Sequence, residues 1–189
     1  MQIFKYSKFF RQVEKEEADM KKGQIWIETV LYTLVGLAII GTILAFVKPA
    51  IEEKRDSIAL QQGVEILNEI DKNIEEIIYY GIGNSRAISI NLRKGRLVID
   101  SEEDAIKFEM ESKHMFSQPN TPVSIGKIKV LTEQKAKKLF NVEMKILYKI
   151  NEVNVTFNNQ DTEKILQPSV ALYRMIATNK GNHIDFSLA

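Results

Sequence analysis

The sequence predicts an α+β protein: a long N-terminal helix, hydrophobic in its first half and amphipathic in its second, followed by an antiparallel β-rich head arranged as a sandwich or an open barrel. Three observations carry this. An apolar run with a single charge extends from Gln24 to Val47. Helical spacing of apolar residues continues beyond it to about Tyr80, and from Arg86 onward the spacing drops to two. In 189 residues with one membrane-length segment there is room for one folded domain of ordinary size.

Residues 1–23 are polar and mixed in sign, and Lys5, Lys8, Arg11, Lys15, Lys21 and Lys22 outnumber Glu14, Glu16, Glu17 and Asp19. Then the charges stop. Between Lys22 and Lys48 the only charged side chain is Glu28. At about 1.5 Å per residue a helix over residues 24–47 runs roughly 36 Å, enough to cross a hydrocarbon core of about 30 Å. The basic flank keeps its side of the span cytoplasmic and directs the rest of the chain outward. The segment is not an ordinary secretory signal, whose apolar region is about 7–15 residues long and is followed by small residues at the cut. Here the run is longer, and the small residue, Gly23, comes before it.

Residues 49–82 continue the helix. Ile51, Ile58, Val64, Leu67, Ile70, Ile74, Ile77 and Ile78 mostly recur at gaps of three, four or seven among charged and amide residues, the pattern of one helical face. Pro49 lacks an N–H and crowds the preceding turn, so a bend is expected there, although it also serves as a plain marker of the membrane boundary. Gly81, Gly83, Asn84 and Ser85 supply the stop. Over residues 83–189 the runs RAISINL, RLVID, AIKFEM, SIGKIKVL, FNVEMKILYKI, EVNVTF, EKILQ, VALYRMIAT and HIDFSL alternate apolar with polar residues or are short and β-rich. Turn sequences separate them at 93–95, 118–122, 158–161 and 179–182. The stretch VEMKILYKI also fits a helix. One face of the sheet is expected to bury the apolar stripe of the helix.

Several function classes find no support. The formal charge is +1, so no nucleic-acid footprint is visible. The chain has no cysteine, which removes disulfides, thiolate metal sites and thiol nucleophiles together. His114 and His183 have no Asp, Glu or His at metal-ligand spacing, and YGIGN lacks the third glycine and preceding strand of a dinucleotide loop. No nucleophile, base and orienting group come together in the sequence, so no enzyme activity and no cofactor are expected.

Lys21, Lys22 and Gly23, then QIWIE and an uninterrupted apolar helix, resemble the class III signal peptide of archaeal type IV pilins and related surface-filament subunits. The resemblance covers residues 21 to about 80 and extends to the tail in architecture only. It implies that residues 1–23 are a leader removed by a prepilin peptidase. Lys22 and Gly23 would be its recognition pair, Gln24 the new N-terminus and Glu28 the fifth residue after the cut. It also implies residues 24–48 as a transmembrane and then filament-core helix, and 83–189 as an extracellular head. In such filaments the fifth-position glutamate meets the freed amine of a neighbouring subunit. The implied partners are other copies of the chain, the peptidase, an assembly ATPase with its membrane platform protein, and the membrane before assembly. Leaving the hydrophobic helix on the mature chain agrees with this, since the helix is then the assembly device.

Each singled-out residue also has a plainer reading. A carboxylate at Glu28 suits a helix N-terminus close enough to the interface to stay wet. Gly36, Ala38, Gly41 and Ala45 allow close helix packing, but Gly36 and Gly41 are five apart and miss the GxxxG spacing. Asn154, in the tripeptide NVT, is an N-glycosylation acceptor if the fold exposes it. The leading expectation is therefore an adhesive or motile filament subunit. The alternative is a non-polymerising, single-pass membrane-anchored binding module or a minor pilin-like component.

Overall fold

The structure, a computed structural model, describes residues 3–148 and 153–189, with the side chains of residues 3–16, 18, 19, 22 and 23 outside the description. Expectations resting on Lys149, Ile150 and Glu152 therefore lie outside the described residues. Helix α1 spans Ile3–Tyr80 and includes Pro49. It starts well before Gln24, which is where the sequence pattern placed it. The added part contains no proline and holds five Lys, three Glu and one Arg, all good helix formers. By contacts the chain separates into two compact units, Met1–Ala50 and Ile51–Ala189, with the boundary one residue after Pro49.

Within the first unit, α1 carries the one segment among the described residues that is long and apolar enough to cross a membrane, and none of its apolar window is buried by them. Three threonines in that segment return their hydroxyls to the helix. Thr29 donates to the Ile25 carbonyl at 2.9 Å, Thr33 to Thr29 at 2.8 Å and Thr42 to Ala38 at 2.8 Å. Such bonds leave no threonine donor unpaired in lipid, which lowers the cost of burying them there.

Among the described residues the second unit holds the rest of α1 and ten strands: β1 (Ser85–Ile90), β2 (Arg96–Asp100), β3 (Ala105–Ser112), β4 (Val123–Ile125), β5 (Ile128–Ala136), β6 (Leu139–Leu147), β7 (Asn154–Phe157), β8 (Lys164–Leu166), β9 (Tyr173–Asn179) and β10 (His183–Leu188). They form two open sheets, ordered β1-β9-β10-β7 and β4-β5-β6-β3-β2-β8. All pairings are antiparallel except that of β10 with β7, which is parallel, with His183 opposite Asn154. The chain between these two strands visits the other sheet as β8 before returning as β9, the long crossover that a parallel neighbour requires. The run SIGKIKVL, which reads as one strand, is a hairpin: Ile125 pairs with Ile128 around Gly126, whose φ of +59° a side chain would resist.

The core is a single apolar cluster drawn from α1 and both sheets. On α1 the buried stripe is Asp56, Ala59, Leu60, Gly63, Ile66, Leu67, Ile70, Ile74 and Ile77, at alternating steps of one, three and four. This corrects the face expected from the sequence in detail. Leu67, Ile70, Ile74 and Ile77 are buried and Val64 packs at the margin, but Ile51, Ile58 and Ile78 are exposed. Ile58 and Ile78 lie one residue off the stripe and Ile51 five residues before its first member, and at about 100° per residue each offset turns the side chain away from the core.

The end of α1 is closed by side-chain amides. Asn179 donates from its Nδ2 to the Ile77 carbonyl at 3.2 Å, and Asn84 to the Tyr80 carbonyl at 2.8 Å, covering carbonyls that have no partner in the helix. Midway, the buried Tyr148 hydroxyl donates to Asp71 at 3.2 Å, and Lys127 bridges Asp71 and Glu75. Burial first, and the Asp71 charge second, push the Tyr148 phenol well above its ordinary range, so it remains a donor at any physiological pH.

Candidate functional site

The residues singled out by sequence fall in three places. Lys22 and Gly23 lie within α1, with their side chains outside the described set. Gln24 and Glu28 follow one turn apart on the same helix, both exposed, and the Gln24 amide donates to the Glu28 carboxylate at 3.3 Å. That spacing is dictated by the helix, since residues four apart stack on one face. From Gln24 to Ala50 every side chain is exposed apart from Gly36, which is partly so. Among the described residues the carboxylate of Glu28 thus has one neutral partner, the Gln24 amide, and no cation. In water that is ordinary; in an apolar surrounding an uncompensated carboxylate is costly. Pro49 is likewise exposed, and the helical assignment runs through it.

Asn154 opens strand β7 and is exposed. The rest of its tripeptide is committed to the fold. The Thr156 hydroxyl is buried and donates to Asp185 Oδ1 at 2.8 Å, and the same oxygen accepts the Asn159 amide at 2.6 Å. A glycosylating enzyme that reads this threonine has to do so before β7 takes its place in the sheet.

His114 and His183 are set apart from one another in the head. His114 is half-buried with Nδ1 3.8 Å from Glu53, while His183 Nδ1 lies 2.7 Å from the Asn182 side-chain oxygen.

The sequence reading missed an acidic clamp near the start of the second unit. Asp56 is only 3% exposed, accepts the Lys113 backbone N–H at 2.6 Å and pairs with Lys94. One turn earlier, Glu52 pairs with Lys113, and the Glu52 hydrogen bond holds the lysine ammonium above its ordinary range. Three carboxylates of α1, counting Glu53, thus face the end of β3 and the β1–β2 loop. Within the charged run EEKRD nothing marks Asp56 as buried; only its position on the stripe with Leu60 and Gly63 does. Asp56→Ala leaves the Lys113 N–H, in a partly buried place, without its acceptor, and a loss of about 1–3 kcal/mol is expected. Asp56→Asn, which keeps an acceptor there, should lose less. Thermal unfolding of the two variants followed by circular dichroism checks the order, and equal midpoints would show that Lys94 rather than the amide sets the energy.

A cleft of about 400 Å³ lies over β2, β3 and β6, lined by Arg96, Glu109, Glu111, Lys135, Asn141 and Gln167 among others. Its charged side chains are each paired: Arg96 with Glu109, Lys135 with Glu111 at 2.8 Å, and Lys94, also in the lining, with Asp56 outside it. These pairs leave no concentrated charge to capture an ionic ligand.

Comparison with protein-family models, curated proteins and solved structures gives no significant match for this chain.

Proposed function

We propose that the chain is a structural subunit of an archaeal type IV pilus-like surface filament. In this reading a prepilin peptidase cuts after Gly23, and the chain polymerises through its N-terminal helix, driven by an assembly ATPase and a membrane platform protein. The observation that carries the proposal is the contrast between the two units. Unit Ile51–Ala189 has an apolar core of its own that buries most of its aliphatic side chains, whereas Gln24–Ala50 offers an apolar helix that none of the described residues covers. Lipid covers such a helix before assembly, and the helices of sister subunits cover it afterwards. The basic flank and Gly23 before the span, with Glu28 five residues after the cut, supply the processing signal.

N-terminal sequencing of the mature protein, together with negative-stain microscopy of surface fractions, tests this. The expected N-terminus is Gln24-Ile25-Trp26, and Gly23→Phe should leave the precursor in the membrane by denying the peptidase its small residue. Retention of Met1, or cleavage beyond Val47, would overturn the reading. The self-contained core of the second unit suits a membrane-anchored binding module as well; that protein would show no filaments at any expression level.

A further inference from the structure

We propose that neighbouring heads touch end to end, through two different apolar patches that the fold sets at opposite ends of strand β1. The first patch is at the α1–β1 junction, where Tyr79 is 85% exposed and Tyr80 and Ile82 are also largely exposed. The second is the segment before β9, where Val170 is 86% exposed and Leu172 is also exposed. Ser85 of β1 pairs with Thr178 and Ile90 with Tyr173, so β1 lies between the patches, one beyond each end. Six residues at about 3.3 Å each separate them by roughly 20 Å.

The first patch is braced by contacts among its own neighbours. Tyr79 and Tyr80 meet edge to face with centroids 5.4 Å apart, the Arg86 guanidinium covers the Tyr80 ring at 5.4 Å, and Glu76 holds that guanidinium from behind at 3.4 Å. Ile82 is seated against Gly181. Large aromatic side chains already held in place lose little freedom on contact, which is what makes them effective anchors.

The occupant is a second copy of this chain because the two patches are unlike, small and at opposite ends of one strand. A contact between unlike patches repeats in one direction instead of closing into a dimer. Its size agrees: two exposed tyrosines supply roughly 300 Å², and with the facing Val170 and Leu172 the total stays well below the ~1,200 Å² of a stable pairwise complex. Such a contact forms only where something else holds the copies close, by raising their effective concentration. The proposal therefore rests on the filament reading, in which the core helices hold successive heads in place.

The chain has no native cysteine, so every thiol crosslink is an engineered one. Ile82→Cys and Val170→Cys keep Tyr79, Tyr80 and Leu172 in place. Full-length protein carrying one or both is treated on the cell surface with a short bismaleimide, and the same samples are imaged for filaments. The double variant is expected to give a ladder of dimers, trimers and higher species, and each single variant only monomer. A single-variant dimer would mean like patches meet, and overturns the proposal. Filaments without a ladder overturn the head contact and leave the filament reading standing. A ladder without filaments would show heads joining with no filament to hold them, which overturns the filament reading and with it a contact that depends on it, and neither ladder nor filaments removes both.

Discussion

Glu28→Gln protein should be inserted in the membrane and cut after Gly23, with a normally folded head, yet yield few filaments or none. The substitution keeps the size and hydrogen-bonding capacity of the side chain and removes only the charge. In the precursor the charge matters little, because Glu28 is exposed and bonded to the neutral Gln24 amide. In the proposed filament, cleavage would free the Gln24 amine, and packing of the helices would take both groups out of water. A carboxylate and an ammonium attract strongly there, while either one left alone carries a large desolvation cost. The pair then rewards the correct axial register of one helix against the next and penalises a slipped one. Removing one partner of such a buried pair costs about 3–5 kcal/mol, so the filament count should fall at least about a hundredfold, since every 1.4 kcal/mol is a factor of ten. Cleavage is read by mobility shift and filaments by microscopy. A variant that is cut and assembles at wild-type yield would show Glu28 to be a wet helix-terminal carboxylate with no part in assembly.

The features legible in the sequence are those that depend on neighbours along the chain. The stop at Tyr80 was visible in Gly81 and Gly83, and β3 was visible because Ile106, Phe108 and Met110 alternate with Lys107 and Glu109. Gln24 and Glu28 needed only helical geometry to be placed together. What stayed hidden depends on residues far apart in sequence. The parallel pairing of β7 with β10 follows from the crossover of the intervening chain, which alternation does not encode. Asp56 reads as one more solvated charge until the Lys113 backbone, from the end of β3, turns out to be its partner. Ile51 and Ile58 show the opposite failure. They belong to an apolar series by spacing, and the stripe that the sheets cover passes beside them.

Gly63 is the clearest case of a residue whose role only the fold explains, and its replacement should have the largest effect on the stability of the head. By propensity alone, glycine inside a helix is a weakness, and alanine there would stabilise by about 1 kcal/mol. The packing reverses that. A Cβ at Gly63 would sit 2.5 Å from Phe108 Cδ1, 2.6 Å from Cε1 and 2.9 Å from Cγ, all closer than carbon atoms approach. The ring has little room to retreat. Phe108 is among the most buried side chains, and a Cβ at Gly95 would likewise lie 2.6 Å from its Cζ, so two glycines flank the one ring. Forcing atoms into a packed core costs about 1–3 kcal/mol, occasionally more. Gly63→Ala should therefore come out less stable despite its gain in helix propensity. Gly63→Val, with two further carbons against the ring, should lose about 3 kcal/mol or more, a large part of the 5–15 kcal/mol of an ordinary domain. The mechanism has its own signature: in a Phe108→Leu background the ring is gone, and Gly63→Ala should cost less than it does alone, by a coupling of about 0.5–3 kcal/mol. Denaturant unfolding of the four proteins of that cycle measures it. Additive losses, or a Gly63→Ala protein as stable as the original, would show that α1 shifts to make room and that Phe108 does not require the glycine.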